Sequence, residues 1–358
     1  MAKVTIQDVA REAGVALGTV SNALNHPDKV RPSTREAVQR AMDKLGYLPN
    51  QSARMLAGGK NAIFGLVLPR LDHGFSLQIA NGAHNEAHRN GYDLIIANAG
   101  NDDVLEGRYL RYFMGLQLAG IMVQPMAGEG WRPVQAASGI PTVYLDIHSD
   151  DPGYFVAADN LAQGKLIAGH AVDCGAKHVA VVGRAEFMQL SYRVAGIREI
   201  EQANPGILFE YLDEGDWNLA RDGYELGSEL GARTGEERPD FVIALTDVLA
   251  TGVITGLAAA GARVPADVAV AGCDGNPLAW TGSVPLTTVA PPGYEIGRRG
   301  VHYLIKQIEL AKLAEFTGEE MPPLENNQAL VRPFLLARQS TGVASAVADP
   351  EMDLGAYL

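Results

Sequence analysis

The chain has 358 residues, 47% apolar and 20% charged, with a net charge of −13. That length exceeds one ordinary core, so two or three globular domains are expected and a disordered or fibrous chain is excluded. No apolar run reaches the roughly 20 residues that a membrane helix needs, and the opening "MAKVTIQDVAREAG" interleaves charge with apolar residues, unlike a secretory signal.

Only Cys174 and Cys273 occur, far apart and without metal-ligand spacing. Both are expected to be buried free thiols in a reducing compartment, and the protein to be cytoplasmic. The charge is unevenly divided. Residues 1–60 hold nine Lys and Arg against five acids, whereas the rest holds 20 against 37. A head of +4 on a body of −17 points to a head that alone meets a polyanion.

In chain order, "TIQDVAREAGV" predicts a helix with Thr5 as N-cap and Asp8 completing a capping box. Ile6, Val9, Ala10 and Ala13 fall on one face. Gly14, Val15 and Ala16 form a tight turn, and Thr19 to Leu24 predict a second short helix with Val20 and Leu24 inward. Pro32, Ser33 and Thr34 start a third, with Ala37, Val38, Ala41, Met42 and Leu45 as its stripe. Helix, short turn with glycine, helix and bracing helix is a helix-turn-helix unit. Three small helices also fit a plain bundle, but the basic excess favours DNA.

In "YLPNQSARMLAGGK", Pro49 ends the preceding run, Asn50 can cap, and Gln51 to Ala57 suffice for two helical turns before Gly58 and Gly59. So short a helix needs a partner and a surface. It reads as a hinge that folds on binding, or as a flexible linker.

From Ala62 onward short apolar runs alternate with amphipathic stretches. "IFGLVLP", "YDLIIANA", "AGIMVQP", "PTVYLDI", "HVAVVG", "DFVIALTD", "DVAVAGCD" and "PLTTV" read as strands buried on both faces, hence mostly parallel sheets covered by helices. The covering helices are predicted over Ser76–Asn90, Asn160–Cys174, Asp247–Ala260 and Tyr294–Leu313. No glycine-rich phosphate loop and no G-x-S-x-G elbow occurs. His84 and His88 share a helix face but lack a third metal ligand, and "SDDP" at Ser149–Pro152 reads as a capped turn. No metal, cofactor or catalytic residue is expected.

"TIQDVAREAGVALGTVSNALN", "PSTREAVQRAMDKLGYLPNQSARMLAGGK" and "FGLVLP" together resemble the LacI/GalR family of bacterial transcriptional repressors, in order from Thr5 to about Thr341. The resemblance implies a homodimer on a pseudo-palindromic operator, each second helix in a major groove and the paired hinges in the minor groove between. Leu56 would be the wedge there, with Asn50 and Ala53 against the groove. Thr5, Thr19, Ser21, Asn25 and Thr34 would hold phosphates, joined by Lys29 and Arg31. The family reads bases largely through the positions of Leu17 and Gly18 and commonly carries Arg at that of Asn22. Here Leu17 offers only apolar contact, Gly18 offers none, and Asn22 suits adenine. The expected operator is therefore specified less by its outer bases and more by Asn22 and by deformability of the centre.

For the body, the resemblance implies a two-lobed periplasmic-binding-protein-like fold. Three crossings are expected near 158–161, 289–292 and 326–329, with an effector between the lobes. Phe75 in "HGFS", Arg193 in "SYRVAGI", Trp217 in "EGDWN", Asp247 in "LTDVLATG" and Asp274 in "AGCDG" match its ligand positions, with Gln124 and Asp146 as additions. Carboxylates accept from hydroxyls, Arg donates and aromatic faces cover a ring, so a sugar or polyol is the expected effector, with nucleobases open. The expected division is a DNA-binding head at 1–48, a hinge at 49–60, an effector body at 61–340 and a flexible tail at 341–358. The expected function is a ligand-responsive repressor rather than an enzyme. A cytoplasmic solute-binding module or a sugar-converting enzyme without gene control is the alternative.

Overall fold

The computed structural model describes residues 4–25, 29–47, 61–71, 74–125, 139–185, 188–213, 219–276, 282–290, 292–321 and 323–342. The chain divides after Ala62 into two compact units.

The first unit contains α1 (Ile6–Ala13), α2 (Leu17–Asn25) and α3 (Pro32–Leu45). Thr5 and Asp8 cap α1 reciprocally, and Gly14, in the left-handed region at φ 67, ends it. That conformation, costly for any residue with a side chain, lets the chain reverse within three residues. The Ala16 carbonyl then accepts the first amides of α2, from Thr19 and Val20. Pro32 opens α3, where its missing N–H is no loss. Val9, Ala10, Val20, Val38, Ala41 and Met42 form the buried core, and Lys44 of α3 is tied to Glu12 of α1 at 2.6 Å. The expected hinge at 49–60 lies outside the described residues.

The second unit is built on two six-stranded sheets. The strands are β1 (Ile63–Leu68), β2 (Asp93–Asn98), β3 (Gly120–Val123), β4 (Thr142–Leu145), β5 (Gly153–Ala158), β6 (His178–Val182), β7 (Leu208–Leu212), β8 (Phe241–Ala244), β9 (Ala269–Cys273), β10 (Thr287–Ala290), β11 (Asn326–Val331) and β12 (Phe334–Leu336). Their orders are β11-β5-β4-β3-β1-β2 and β12-β10-β9-β8-β6-β7. Every pairing is parallel except β10 with β12. The covering helices are α4 (Gly74–Arg89), α5 (Asp103–Gly115), α6 (Asn160–Asp173), α7 (Met188–Ala203), α8 (Ala220–Ala232), α9 (Asp247–Ala259) and α10 (Gly293–Thr317).

The chain passes between the sheets from β5 into α6, from β10 into α10, and from β11 to β12. The last passage falls at 332–333, not at the expected 326–329, because Asn326 to Val331 pair with β5 along their whole length. β2 is also not buried on both faces as expected. It is the sheet's edge, with Ile95 and Ile96 at 40% and 41% exposure. Cys273 is buried as expected, but Cys174 caps the end of α6 and is exposed. Ser149 and Asp151 do form a capped turn, through Ser149 Oγ.

Three helix pairs on the sheet faces pack backbone to backbone through glycines. A side-chain carbon at Gly82 would fall on the Tyr294 carbonyl, at Gly164 on the Arg193 carbonyl, and at Gly252 on the Ala220 carbonyl. The α4–α10, α6–α7 and α8–α9 contacts therefore leave no room for even a methyl. Gly252→Ala is expected to destabilise the body by about 1–3 kcal/mol. By contrast Gly169→Ala, in α6 with nothing within 4 Å, is expected to stabilise it by about 0.5–1 kcal/mol. Urea unfolding of the two variants checks both signs.

Candidate functional site

In the head, Leu17 is 44% exposed, Asn22 is exposed, and Thr19, Ser21 and Thr34 are half-buried. Lys29 and Arg31 are exposed and make no ion pair with a described residue. The Thr5 hydroxyl donates to Asp8 Oδ2 at 2.7 Å, so its proton is directed to the cap. Asn25 ends α2. A side chain added at Gly18 would meet nothing within 4 Å, so its absence is not a packing requirement. Asn50, Ala53 and Leu56 lie outside the described residues.

The body site stands where the carboxyl ends of the two sheets approach each other, the place where open α/β sheets bind ligands. Gln124 follows β3 and Asp146 follows β4 in one sheet, while Asp274 follows β9 in the other. Arg193 is carried there by α7, whose backbone closes on α6 through Gly164. Its side chain is 4% exposed. Nη1 donates to the Leu245 carbonyl and to Asp274 Oδ1, the latter at 3.4 Å. Nη2 donates to Asn160 Oδ1 at 3.0 Å, the same oxygen that accepts from Gln163 at 3.0 Å. Nε makes no hydrogen bond with a described residue. Burial opposes the charge of Arg193, but Cys273, Asp274, Asp146 and Asp247 around it more than reverse that effect and raise its pKa.

Asp247 is fully buried behind this group, with Oδ2 accepting the Asn276 amide at 2.6 Å. It thereby holds the loop that carries Asp274. Thr246 caps α9 by accepting from the Leu249 amide. Burial first, then the neighbouring Asp274, keep the Asp247 carboxyl well above the usual range. Phe75 is buried in the core under the first sheet, beside Gly293. Trp217 lies outside the described residues.

Sequence reasoning missed the polar residues that join these groups. Gln78 Nε2 donates to the Gly275 carbonyl at 2.7 Å, and Gln189 Nε2 to the Asp146 carbonyl at 2.7 Å, each from one sheet's helix to the other sheet's loop. Ser76, Asn160 and Asn276 are likewise buried. The available signal was a polar residue on a buried helical stripe, as with Ser76 and Gln78 between Phe75 and Ile79.

Comparison with known proteins fits this geometry. Residues 5–50 match the model of bacterial regulatory proteins of the lacI family, and residues 168–341 match a periplasmic binding protein-like domain. The ribose operon repressor of Bacillus subtilis (strain 168) is 32% identical over 322 residues, covering 89% of this chain and 95% of the repressor.

The chain belongs to the LacI family of bacterial regulatory proteins.

Among solved structures, the complex of the transcriptional regulator CelR with cellobiose is 27% identical, covering 94% of this chain and all of the other at a TM-score of 0.63. The lac repressor bound to ONPG shares the fold at a TM-score of 0.75 and 24% identity, over 95% of this chain and all of the other. This LacI-family chain is thus a DNA-binding transcriptional regulator, and its Bacillus subtilis and Vibrio campbellii relatives are named as repressors.

Two predictions follow from the site geometry. Gly18→Ala should stabilise the head by about 0.5–1 kcal/mol, since a helical glycine costs that much and the space is open; thermal melting of the variant checks it. The second concerns Asp146, which burial raises from 3.8 to about 7 against the opposing Gln124 hydrogen bond and Arg193 charge. A raised carboxyl favours the protonated fold, so its contribution is complete below about pH 4 and is lost as pH rises through about 7. In Asp146→Asn the decline of unfolding free energy between pH 4 and 7 should flatten, on the order of a few kcal/mol, as read by urea unfolding at each pH.

Proposed function

We propose that this regulator is a homodimeric repressor whose operator affinity is set by a neutral sugar or polyol held between its lobes. The observation that carries this reading is the buried Arg193 with Asp274 on one side and Asp146 approaching from the other lobe. A fixed guanidinium fork beside carboxylates recognises neighbouring hydroxyls, which both donate and accept. The names of a ribose operon repressor and a cellobiose complex among the relatives support a sugar. In this reading Arg193, Asp146, Asp274 and Gln124 contact the sugar, Asp247 holds the Asp274 loop, Trp217 walls the ring, and Phe75, packed in the core, supports the turn of α4 that carries Ser76.

Sugar binding changes how the lobes close, through differential contacts such as Gln78–Gly275 and Gln189–Asp146. That change alters the spacing of the paired hinges at 49–60, and with it the insertion of Leu56 into the minor groove. Asn50 and Ala53 lie along that groove, and Leu17, Gly18 and Asn22 face the major groove. Thr5, Thr19, Ser21, Asn25, Lys29, Arg31 and Thr34 serve the phosphates. The protein works in the cytoplasm and joins the nucleoid when bound to its pseudo-palindromic operator.

A thermal-shift panel of D-ribose, cellobiose, other neutral sugars, polyols, sugar phosphates and purines tests the effector. A ligand at about a hundred times its Kd should stabilise the protein by about 2.7 kcal/mol. A hit restricted to purines, or none, would remove the sugar assignment. Leu56→Ala should weaken operator binding by about tenfold or more in electrophoretic mobility shift and leave the sugar shift intact; unchanged operator affinity would remove the wedge.

A further inference from the structure

Behind Asp146 runs a buried chain of hydrogen bonds. Ser76, in the first turn of α4, is 1% exposed. Its Oγ donates to Gln124 Oε1 at 2.9 Å, and Gln124 Nε2 donates to Asp146 Oδ2 at 3.3 Å. Helix α4 and the ends of β3 and β4 are thus linked within one sheet's layers, while Gln189 of α7 holds the Asp146 backbone from the other lobe. Asp146 Oδ1 accepts no hydrogen bond from a described residue.

The polarity of this chain is constrained. An ionised carboxylate only accepts, so Gln124 must turn its amide NH2 to Asp146 and its carbonyl to Ser76, which must donate. A serine hydroxyl can also accept. When Asp146 takes a proton, the amide of Gln124 can turn over, with Asp146 donating to Oε1 and Nε2 donating to Ser76 Oγ. The chain is satisfied in either state with its direction reversed.

We propose that Ser76 is a positioning residue of the effector site: through Gln124 it holds Asp146 with Oδ1 open to a ligand hydroxyl, and its two-way hydroxyl lets the chain reverse when Asp146 is protonated, so that sugar binding responds to pH. This rests on the interlobe sugar site proposed above. The charges facing Asp146 are Arg193 from α7, which favours ionisation, and Asp274 after β9, which opposes it. Asp247 lies behind Asp274, and both are buried. His148, two residues on, is engaged by the Ala158 carbonyl and Gln328, and burial lowers its pKa so that it stays neutral. Burial places the Asp146 carboxyl at about 7, so the reversal falls in the neutral range. A ligand hydroxyl donating to Oδ1 prefers the ionised state, and affinity therefore rises with pH.

The test is a carboxyl-carbon NMR titration of the full chain labelled at aspartate, with the Asp146 signal assigned by its loss in Asp146→Asn. Ser76 bonds Gln124 in both arrangements, but the bond polarised by the ionised carboxylate is the stronger, so Ser76→Ala costs the ionised state more and the Asp146 midpoint should rise by about half to one pH unit. Ser76→Thr keeps the hydroxyl and should keep the wild-type midpoint. Calorimetry with D-ribose from pH 6 to 8 should show affinity rising through the same midpoint, displaced upward in Ser76→Ala. An unmoved midpoint in Ser76→Ala, or an equal shift in Ser76→Thr, overturns the proposal. A displaced midpoint without D-ribose binding upholds the positioning role and counts against ribose as the sugar.

Discussion

The body is organised around one buried guanidinium. An isolated charge in a protein interior costs several kcal/mol, and it persists only where other groups replace its lost water. For Arg193 those groups come from three segments distant in sequence: Asn160 at the start of α6, the Leu245 carbonyl after β8, and Asp274 after β9. The arginine reaches them because α7 lies against α6 at a distance only Gly164 permits. Removing the close helix contact would therefore displace the charge as well as loosen the packing.

The same charge gives the approach of the two lobes an electrostatic meaning. Asp146 belongs to the first sheet and feels Arg193 from the second. Gln78 and Gln189 add a direct hydrogen bond in each direction across the cleft. Helix α4 carries the first of these hydrogen bonds and reaches Asp146 through Ser76 and Gln124. Its first turns carry Ser76 and Gln78, and further along it is locked to α10 through Gly82 and Gly297. The loop after β9 is thus tied through Gln78 to a rigid helix pair, and close-packed interfaces have few intermediate arrangements.

The head follows a different logic. Its three helices are fixed by caps and a small apolar core, leaving the outer face of α2 free to vary. A glycine stands there without any packing reason, beside an exposed leucine. Neither side chain can donate or accept a hydrogen bond.

The local signals were legible in the sequence: the Thr5–Asp8 cap, the stripe of α3 and the apolar strands, whereas Arg193 and the acids around it stood out only through the family resemblance. Caps and periodicity act over three or four residues, so their consequences are written where they occur. The tertiary structure alone decided that β2 is an edge despite its apolar run, that Cys174 surfaces, and that the third passage between sheets lies at 332–333. It also turned Asp247 toward the Asn276 amide and gave Ser76, Gln78, Asn160 and Gln189 their partners. The physical reason is common to all of these. A strand's place in a sheet, and the partner of a buried polar group, depend on elements dozens to hundreds of residues away, and no local pattern encodes which one arrives.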